Sequence, residues 1–344
     1  MKKSIKKTVS VFLFISMLIL GLAGCSSISD GSDNTDGEEL KPFRIGVGGQ
    51  DGGGVFEGAA LAVKNAYFEE ELREIGFKPK YVYFGGAGPE INEAFAAGEI
   101  DAAILGDFPA FVAKSKGIDN KVIATTNQKC QYGILINSDE IKTAKDLEGK
   151  KVIVAQGTII QFFWEKYVEA VGIDASKVEI INATSDTISL LQAGEADAYV
   201  ANRYMVSYLT SSGLGNELEN EIDISNIYTS FIFEASSSIL DENPELGVAV
   251  NKALIHAQKD AAANPDAQYQ ALASDNVPAE AWKDYYSVDT TLSNLSPEIT
   301  TETLEYYNTL SDWMLSHSII SEQIDVSTFI DNTYYQKAVD ALNK

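Results

Sequence analysis

A short segment that occurs twice is the feature that most constrains the fold of this chain. The hexapeptide Ala97–Ala102 (AGEIDA) recurs 96 residues later as Ala193–Ala198 (AGEADA). Each copy follows an amphipathic helical stretch and precedes a β-rich run, and its glycine suits the left-handed position that ends a helix. The match could arise by chance, because alanine, glycine and glutamate are common residues. The similar elements before and after each copy favour a duplicated architecture.

Strand and helix patterns alternate along most of the chain. The pattern predicts strands at Phe43–Val47, Tyr81–Phe84, Ala102–Leu105, Val122–Thr126, Tyr132–Ile136, Val152–Ala155, Val178–Ile181, Ala198–Ala201 and Ile227–Phe233. Between them it predicts helices at Phe56–Ala66, Glu90–Ala97, Ile160–Val171 and Thr187–Gln192. Such alternation indicates an α/β fold with βαβ units and parallel sheets. After about residue 240 the pattern predicts helices that are interrupted at Pro244, Pro265, Pro278 and Pro297.

The duplication predicts two α/β lobes that face each other across a cleft. We place two chain crossings between them, near Asn127–Gln131 and Asn226–Tyr228, which would act as a hinge. The first lobe would comprise residues 41–128 and 229–344, and the second residues 129–228. Ligands bind beyond the carboxyl ends of the strands in open parallel sheets, so we expect a ligand site in this cleft.

The N-terminus has the pattern of an export signal. Four lysines among the first seven residues precede an apolar run at Val11–Leu22. This run is shorter than the roughly 20 residues that span a bilayer. Leu22–Cys25 (LAGC) then resembles a bacterial lipobox, which implies a signal peptide at residues 1–24 and a diacylglycerol on Cys25. An ordinary signal peptide with an incidental cysteine is the alternative.

The segment at residues 25–40 is polar and predicts a disordered tether. It is too poor in apolar residues to bury a core, and such segments behave as flexible linkers. A lipid anchor followed by a tether predicts an exported protein on the outer face of the cell membrane, which is the periplasmic side if the cell has two membranes.

The charge balance excludes several classes of partner. The chain has 26 basic and 50 acidic residues, and loss of the four signal lysines would change its net charge from −24 to −28. This acidity argues against binding to nucleic acid and to anionic lipid surfaces, which both require basic patches. It favours solubility, and we expect a monomer.

Cysteine and histidine are too few to predict a metal or redox site. If Cys25 is acylated, Cys130 has no intrachain partner, and stability must come from an apolar core. His256 and His317 have no second histidine or cysteine nearby in sequence, so no zinc pattern is present. We expect neither metal nor cofactor. An enzyme on the same fold is an alternative, but no Ser/His/Asp or Cys/His arrangement supports it.

Two turns at predicted strand ends are candidate ligand loops. Gly48–Gly54 (GGQDGGG) contains Gln50 and Asp51 but lacks the dinucleotide and Walker patterns. Its small residues would let a ligand approach backbone N–H groups at the start of a helix. Gln156–Thr158 is the matching turn of the second half, where N–H groups and the Thr158 hydroxyl could hold an oxyanion. A plain tight turn and a simple N-cap are the alternatives.

Two ionisable residues occupy matching positions in the repeat. The 96-residue offset places Asp107 opposite Arg203, each just beyond a predicted strand. The Arg203 guanidinium suits a sulfonate or carboxylate in bidentate geometry. A salt bridge to a nearby acid is the alternative. Asp107 could accept a hydrogen bond from a ligand amine, or it could cap the helix that Pro109 begins.

Several motifs in order resemble one family. Gly86–Glu90 (GAGPE), Ala97–Asp101, Gly106–Pro109 (GDFP) and Ile141–Val152 (IKTAKDLEGKKV) are similar to the aliphatic sulfonate, taurine and nitrate binding proteins of ABC importers. The resemblance covers residues 43–210 well. It implies a type II periplasmic-binding-protein fold, in which two doubly wound α/β lobes are joined by a two-segment hinge and followed by C-terminal helices. It also implies closure on a small-molecule ligand and docking to a membrane permease.

The resemblance implies a set of ligand contacts when it is carried over residue by residue. These contacts fall on Gln50, Asp51, Ala87, Gly88, Gly106, Asp107, Phe108, Gly157, Thr158 and Ile159. The chain departs from the family at Ala201–Arg203, where sulfonate binders commonly have Trp-Asp-Pro, and at Ile159–Gln161, where Ser or His is usual. These departures change the pocket wall and allow a larger or more apolar ligand. The resemblance implies an alkanesulfonate or taurine as the expected ligand, and a thiamine-precursor-like pyrimidine, nitrate or bicarbonate are alternatives.

Overall fold

A computed structural model describes residues 39–49, 56–219, 224, 226–274, 277–288 and 292–344 of the chain. The predicted signal peptide, the predicted lipidation site Cys25, and the loop residues Gln50 and Asp51 lie outside these ranges. Within them, every helix is too short or too polar to cross a membrane.

In the described part of the chain the strands form two five-stranded sheets. The strands are β1 (Lys41–Gly48), β2 (Phe77–Phe84), β3 (Ala102–Gly106), β4 (Asn120–Cys130), β5 (Tyr132–Ile136), β6 (Lys151–Ile153), β7 (Glu179–Ile181), β8 (Ala198–Asn202), β9 (Asn216–Glu217) and β10 (Thr229–Ser236). The first sheet has the order β2-β1-β3-β10-β4, and the second has the order β7-β6-β8-β5-β9. The chain therefore changes sheet between β4 and β5 and again between β9 and β10. The exact division into lobes stays a prediction.

Helices connect the strands and make up most of the C-terminal third. They are α1 (Ala60–Lys64), α2 (Tyr67–Arg73), α3 (Gly88–Ala96), α4 (Asp107–Ser115), α5 (Ile159–Val171), α6 (Thr187–Gln192), α7 (Arg203–Ser211), α8 (Ser237–Glu242), α9 (Glu245–Ala263), α10 (Pro265–Leu272), α11 (Ala279–Tyr285), α12 (Thr301–Ser316), α13 (Val326–Phe329) and α14 (Thr333–Leu342). The helix predicted at Phe56–Ala66 is present as a 3-10 turn at Glu57–Ala59 that continues into α1. Ala66 adopts a left-handed conformation with φ of 60°, which separates α1 from α2, a helix that the sequence pattern did not predict.

The two sheets are mixed: the predicted parallel pairing is present in part of each sheet, and antiparallel strands that the sequence pattern did not predict complete them. β1 is parallel to β2 and β3, and β6 is parallel to β7 and β8. In contrast, β10 is antiparallel to β3 and β4, and β5 is antiparallel to β8. The reason is the direct passage between the sheets. When the chain enters a sheet at the carboxyl ends of its parallel strands, the entering strand must run antiparallel to them.

The two copies of the repeat have the same local structure. Their glycines have φ of 69° and 70° and end a helix. One carboxylate oxygen of Asp101 accepts a hydrogen bond from the Arg44 N–H (2.8 Å), and Asp197 makes the same bond with the Lys151 N–H (2.8 Å). In each copy the aspartate N–H donates back to the carbonyl of that partner. The repeated aspartate thus fixes the start of the strand that leads to each candidate loop.

Apolar side chains between the sheets and helices form the core of residues 39–344, which are one compact unit. Phe233 of β10 packs between Phe43 of β1 and Phe68 of α2, with ring centroids 6.5 Å and 6.0 Å away. Phe108, Phe162 and Phe163 are also buried in this core.

A carboxyl group also lies in the first sheet. Glu234 of β10 is fully buried, and one carboxyl oxygen accepts a hydrogen bond from the Asn120 side chain. The other oxygen has no hydrogen-bond partner among the described residues. Burial raises the pKa of Glu234 to about 8, because desolvation disfavours the charged form.

We expect Glu234 to make stability fall as pH rises. The folded chain keeps this proton up to about pH 8, whereas an unfolded glutamate loses it near pH 4.5. The resulting loss of folding free energy therefore accumulates between these two values. Glu234→Gln should have the same stability as the natural chain at about pH 4 and exceed it by roughly 4 kcal/mol at about pH 9. Urea unfolding measures this difference. Glu305→Gln, at an exposed position of α12, is the control, and a pH-independent difference for Glu234→Gln would contradict the assignment.

Candidate ligand-binding site

A cavity of about 240 Å³ lies between the strand ends of the two sheets. The first sheet contributes Gly48 at the end of β1 and Gly106 at the end of β3. The second contributes Ala155, which follows β6, and Asn202 at the end of β8. The cavity therefore lies where ligands bind in open α/β sheets.

Four helices begin at this cavity. Gly88 is the first residue of α3, Gly106 is the N-cap of α4, Ile159 is the first residue of α5 and Asn202 is the N-cap of α7; all four line the cavity. The first N–H groups of a helix have no partner within it, and its N-terminal end carries a partial positive charge. The convergence of these ends favours a negatively charged group in the cavity.

The lining is largely apolar and carries no charged side chain among the described residues. Isoleucines from α3, β3 and α5 supply the apolar wall. Side-chain polar atoms come from Thr158, Thr184, Tyr199, Asn202 and Tyr204. A cation would find no opposite charge in this lining, whereas an anion with an apolar part would match both features.

The walls of the cavity approach each other so closely that glycine is required at one contact. A β-carbon on Gly106 would lie 2.2 Å from Cγ2 of Ile159. On the neighbouring turn, a β-carbon on Gly157 would lie 2.9 Å from Cγ of Pro89. These glycines let the N-terminal end of α5 pack against the N-terminal ends of α3 and α4.

The turn before α5 uses most of its polar groups internally. The Thr158 hydroxyl donates to the Ala155 carbonyl (2.7 Å) and accepts from the Ile160 N–H (3.1 Å), so Thr158 is the N-cap of α5. The Gly157 N–H donates to the Gln161 side-chain oxygen (2.7 Å). The capping alternative that the sequence left open is therefore present. The cap therefore uses the Ile160 N–H in the first turn of α5.

Asp107 and Phe108 face away from the cavity. The Asp107 carboxylate accepts hydrogen bonds from the Ser230 N–H (2.7 Å), the Ser230 hydroxyl (3.0 Å) and the Tyr306 hydroxyl (2.8 Å). Burial raises the pKa of Asp107 to about 6 although these bonds favour the charged form. Phe108 is buried against Phe162, with ring centroids 6.2 Å apart. Asp107 joins α4, β10 and α12, which is a structural role.

Arg203 lies beside the cavity rather than in its lining. It is the first residue of α7, and its N–H donates to the Gln131 carbonyl (2.9 Å). Its guanidinium is 3.8 Å from a carboxylate oxygen of Glu217, and its side chain is 46% exposed. This is the salt bridge that the sequence left open as the alternative to ligand binding.

The structure brings together about half of the candidate residues. Those that line the cavity are Ala87, Gly88, Gly106, Thr158 and Ile159. Sequence reasoning did not select Thr184, Tyr199, Asn202 or Tyr204, which also line it. The repeat contained a usable signal for the last three, because they flank Arg203 at the end of β8. Thr184 follows β7, and no sequence motif near this strand indicated a ligand contact.

The contact at Gly106 generates a stability prediction. Gly106→Ala would force the new methyl against Ile159, and overpacking of this kind costs about 1–3 kcal/mol. We therefore expect a melting temperature several degrees below that of the natural chain. Gly48→Ala is the matched control in the same cavity, because its new β-carbon would lie 3.6 Å from Cβ of Ala87, an ordinary contact. Equal melting temperatures for the two variants would contradict the close approach of α5 to α4.

Comparisons with known proteins agree with this architecture. A family profile described as NMT1/THI5 like matches residues 57–268. A Bacillus subtilis (strain 168) protein named for binding aliphatic sulfonates is 26% identical over 342 residues, which is 96% of each chain. The crystal structure of SsuA from Methylobacillus flagellatus KT, a periplasmic sulfonate-binding protein, has a TM-score of 0.71 at 22% identity and covers 89% of this chain and 96% of that chain.

An enzyme also shares the fold. The crystal structure of the desulfurization enzyme DSZB has a TM-score of 0.65 at 13% identity, and covers 88% of this chain and 99% of that chain. The structural matches confirm the predicted α/β fold of the periplasmic-binding type. Because the family profile spans more than half of the chain, the resemblance found in the motifs is also confirmed. The chain belongs to the NMT1/THI5-like family.

Proposed function

We propose that this protein is the extracytoplasmic ligand-binding component of an ABC importer and that it captures a small alkanesulfonate. The observation that carries the proposal is the convergence of four helix N-termini on a largely apolar cavity whose described lining has no charged side chain. The names of the Bacillus subtilis relative and of SsuA, which both refer to sulfonate binding, support the same ligand class.

Backbone N–H groups would hold the sulfonate. Each helix N-terminus stabilises a nearby anion by about 0.3–1 kcal/mol, and more where water is excluded. The four helix N-termini would therefore stabilise the anion in place of Arg203, which the sequence analysis selected for this contact. The isoleucine wall would contact the alkyl chain. The volume of about 240 Å³ is below the typical range for drug-sized ligands, so a small solute fits.

The cavity favours an unsubstituted alkanesulfonate over taurine. Taurine carries an ammonium group, which needs an acceptor when it is buried. The described lining residues include no carboxylate, and the carboxylate of Asp107 is occupied by Ser230 and Tyr306. A taurine ammonium would therefore lose more hydration than the lining could replace.

Binding rather than catalysis suits the lining. The described lining residues include no cysteine, serine, histidine or acidic side chain that could act as nucleophile or general base. The Cys130 thiol is buried in β4, and burial raises its pKa, which disfavours the reactive thiolate. DSZB shows that the fold hosts an enzyme, but the described lining of this cavity lacks the groups for one.

The importer proposal includes a membrane anchor and a permease partner. Lipid on Cys25 and the tether at residues 25–40 would hold the protein near its permease. We expect the natural chain, expressed with its signal, to partition into the detergent phase of a Triton X-114 extraction. Cys25→Ser should move it to the aqueous phase, and equal partitioning of the two forms would contradict the anchor.

A ligand panel tests the sulfonate assignment. We expect butanesulfonate to raise the melting temperature and to bind more tightly than taurine in isothermal titration, because ligand binding to the folded state alone stabilises it. Nitrate, bicarbonate and an aminopyrimidine should bind more weakly. A larger stabilisation by the pyrimidine, or tight binding of taurine alone, would contradict the proposed ligand.

A charge placed at the cavity tests how the anion is held. Thr184 lines the cavity and is exposed, so it tolerates a polar substitution. Thr184→Asp should weaken butanesulfonate at least about tenfold through repulsion, while the neutral Thr184→Asn should change its affinity less than about threefold. Arg203→Ala should likewise change the butanesulfonate affinity only slightly. A large loss in Arg203→Ala with no difference between the two Thr184 variants would place the anion at Arg203.

A further inference from the structure

Helix α5 contacts both halves of the molecule through two adjacent aromatic residues. Phe163 faces the second sheet, and its ring centroid is 5.1 Å from that of Tyr132 in β5. Phe162 points the other way. Its ring centroid is 6.2 Å from Phe108 of α4 and 4.9 Å from Trp313 of α12, and the contact with Trp313 is edge-to-face at 88°.

Helix α12 is fixed to the first sheet by hydrogen bonds and ring packing. The Tyr306 hydroxyl donates to the Asp107 carboxylate (2.8 Å), and the Tyr307 hydroxyl is 2.8 Å from the Ser230 hydroxyl in β10. The Tyr307 ring also packs on Phe111 of α4, with centroids 5.6 Å apart. Any movement of one sheet relative to the other must therefore change the contact between Phe162 and Trp313.

Side chains from both helices surround Trp313. The ring of His317, the residue that follows α12, stacks on the Trp313 ring with centroids 4.1 Å apart. From α5, the Lys166 ammonium lies 5.8 Å from the Trp313 ring centroid and is 3.4 Å from the Glu169 carboxylate. Phe162, Lys166 and Glu169 share one face of α5, since they are four and three residues apart. Trp313 is 9% exposed, so the contact excludes most water.

The same helix reaches the cavity. Ile159 and Ile160 in the first turn of α5 line it, and Phe162 is only two residues further along. A ligand that contacts the start of α5 and the ends of α3 and α4 would hold α5 in the position where Phe162 meets Trp313. Ligand retention and this aromatic contact should therefore stabilise each other.

We propose that Trp313 is a positioning residue for ligand retention, acting through Phe162 as a latch between α12 and α5 that slows ligand release. The proposal rests on the proposed function, because it requires a solute that enters and leaves as the two sheets separate. The latch consists of Trp313 and Phe162. Neither residue lines the cavity.

The test measures butanesulfonate release by stopped flow and its affinity by titration. Trp313→Ala should raise the dissociation rate about fivefold to tenfold, the factor expected for loss of one aromatic pair, and leave the association rate within about twofold. Trp313→Phe should restore most of the retention because it keeps a ring at the contact. Leu315→Ala, at an exposed position of the same helix, is the control and should release ligand like the natural chain.

A double-mutant cycle separates the latch from a general loss of stability. The effects of Trp313→Ala and Phe162→Ala on the dissociation rate should be strongly non-additive, because either variant removes the same contact. Trp313→Leu and Phe162→Leu complete the cycle if the alanine variants fold poorly. Additive effects, or an unchanged rate in folded Trp313→Ala, would overturn the latch alone. Failure of the natural chain to bind any sulfonate in the panel would overturn the proposed function and the latch together.

Discussion

The architecture depends on the passage of the chain from one sheet to the other through a single residue. Gln131 is the one residue between β4 and β5. Its N–H donates to the Tyr285 hydroxyl (3.1 Å), and its carbonyl accepts from the Arg203 N–H (2.9 Å). Tyr132 at the start of β5 pairs with Asn202 at the end of β8. Because the passage is so short, the carboxyl end of β4 therefore lies next to the carboxyl end of β8. The helices that follow the parallel strands must therefore begin at a common cavity.

This arrangement explains how an acidic chain can offer a site for an anion. The surface carries a large excess of carboxylates, but none belongs to the described lining of the cavity. Asp107, which follows the lining residue Gly106, directs its carboxylate to Ser230 and Tyr306. The local field is then set by helix ends, which act over a few ångströms, while the distant surface charges are screened by solvent and salt.

The sequence predicted the duplicated α/β fold because its repeat marks equivalent structural positions. Asp101 and Asp197 make the same backbone hydrogen bond, so the hexapeptides report a real correspondence. Sequence offset could place Asp107 and Arg203 at strand ends, but it could not give the direction of their side chains. Those directions depend on partners more than ten residues away, namely Ser230 for Asp107 and Glu217 for Arg203. The sequence pattern did not predict the antiparallel strands for a similar reason: it does not show at which end of the parallel strands the chain enters a sheet.

A crystal structure of the protein with butanesulfonate would test the central claim most directly. We predict that the sulfonate oxygens lie within hydrogen-bond distance of N–H groups in the first turns of α5 and of α3 or α4, with the alkyl chain against the isoleucine wall. A sulfonate bound to the Arg203 guanidinium, or at a place outside the cavity between the two sheets, would contradict the account.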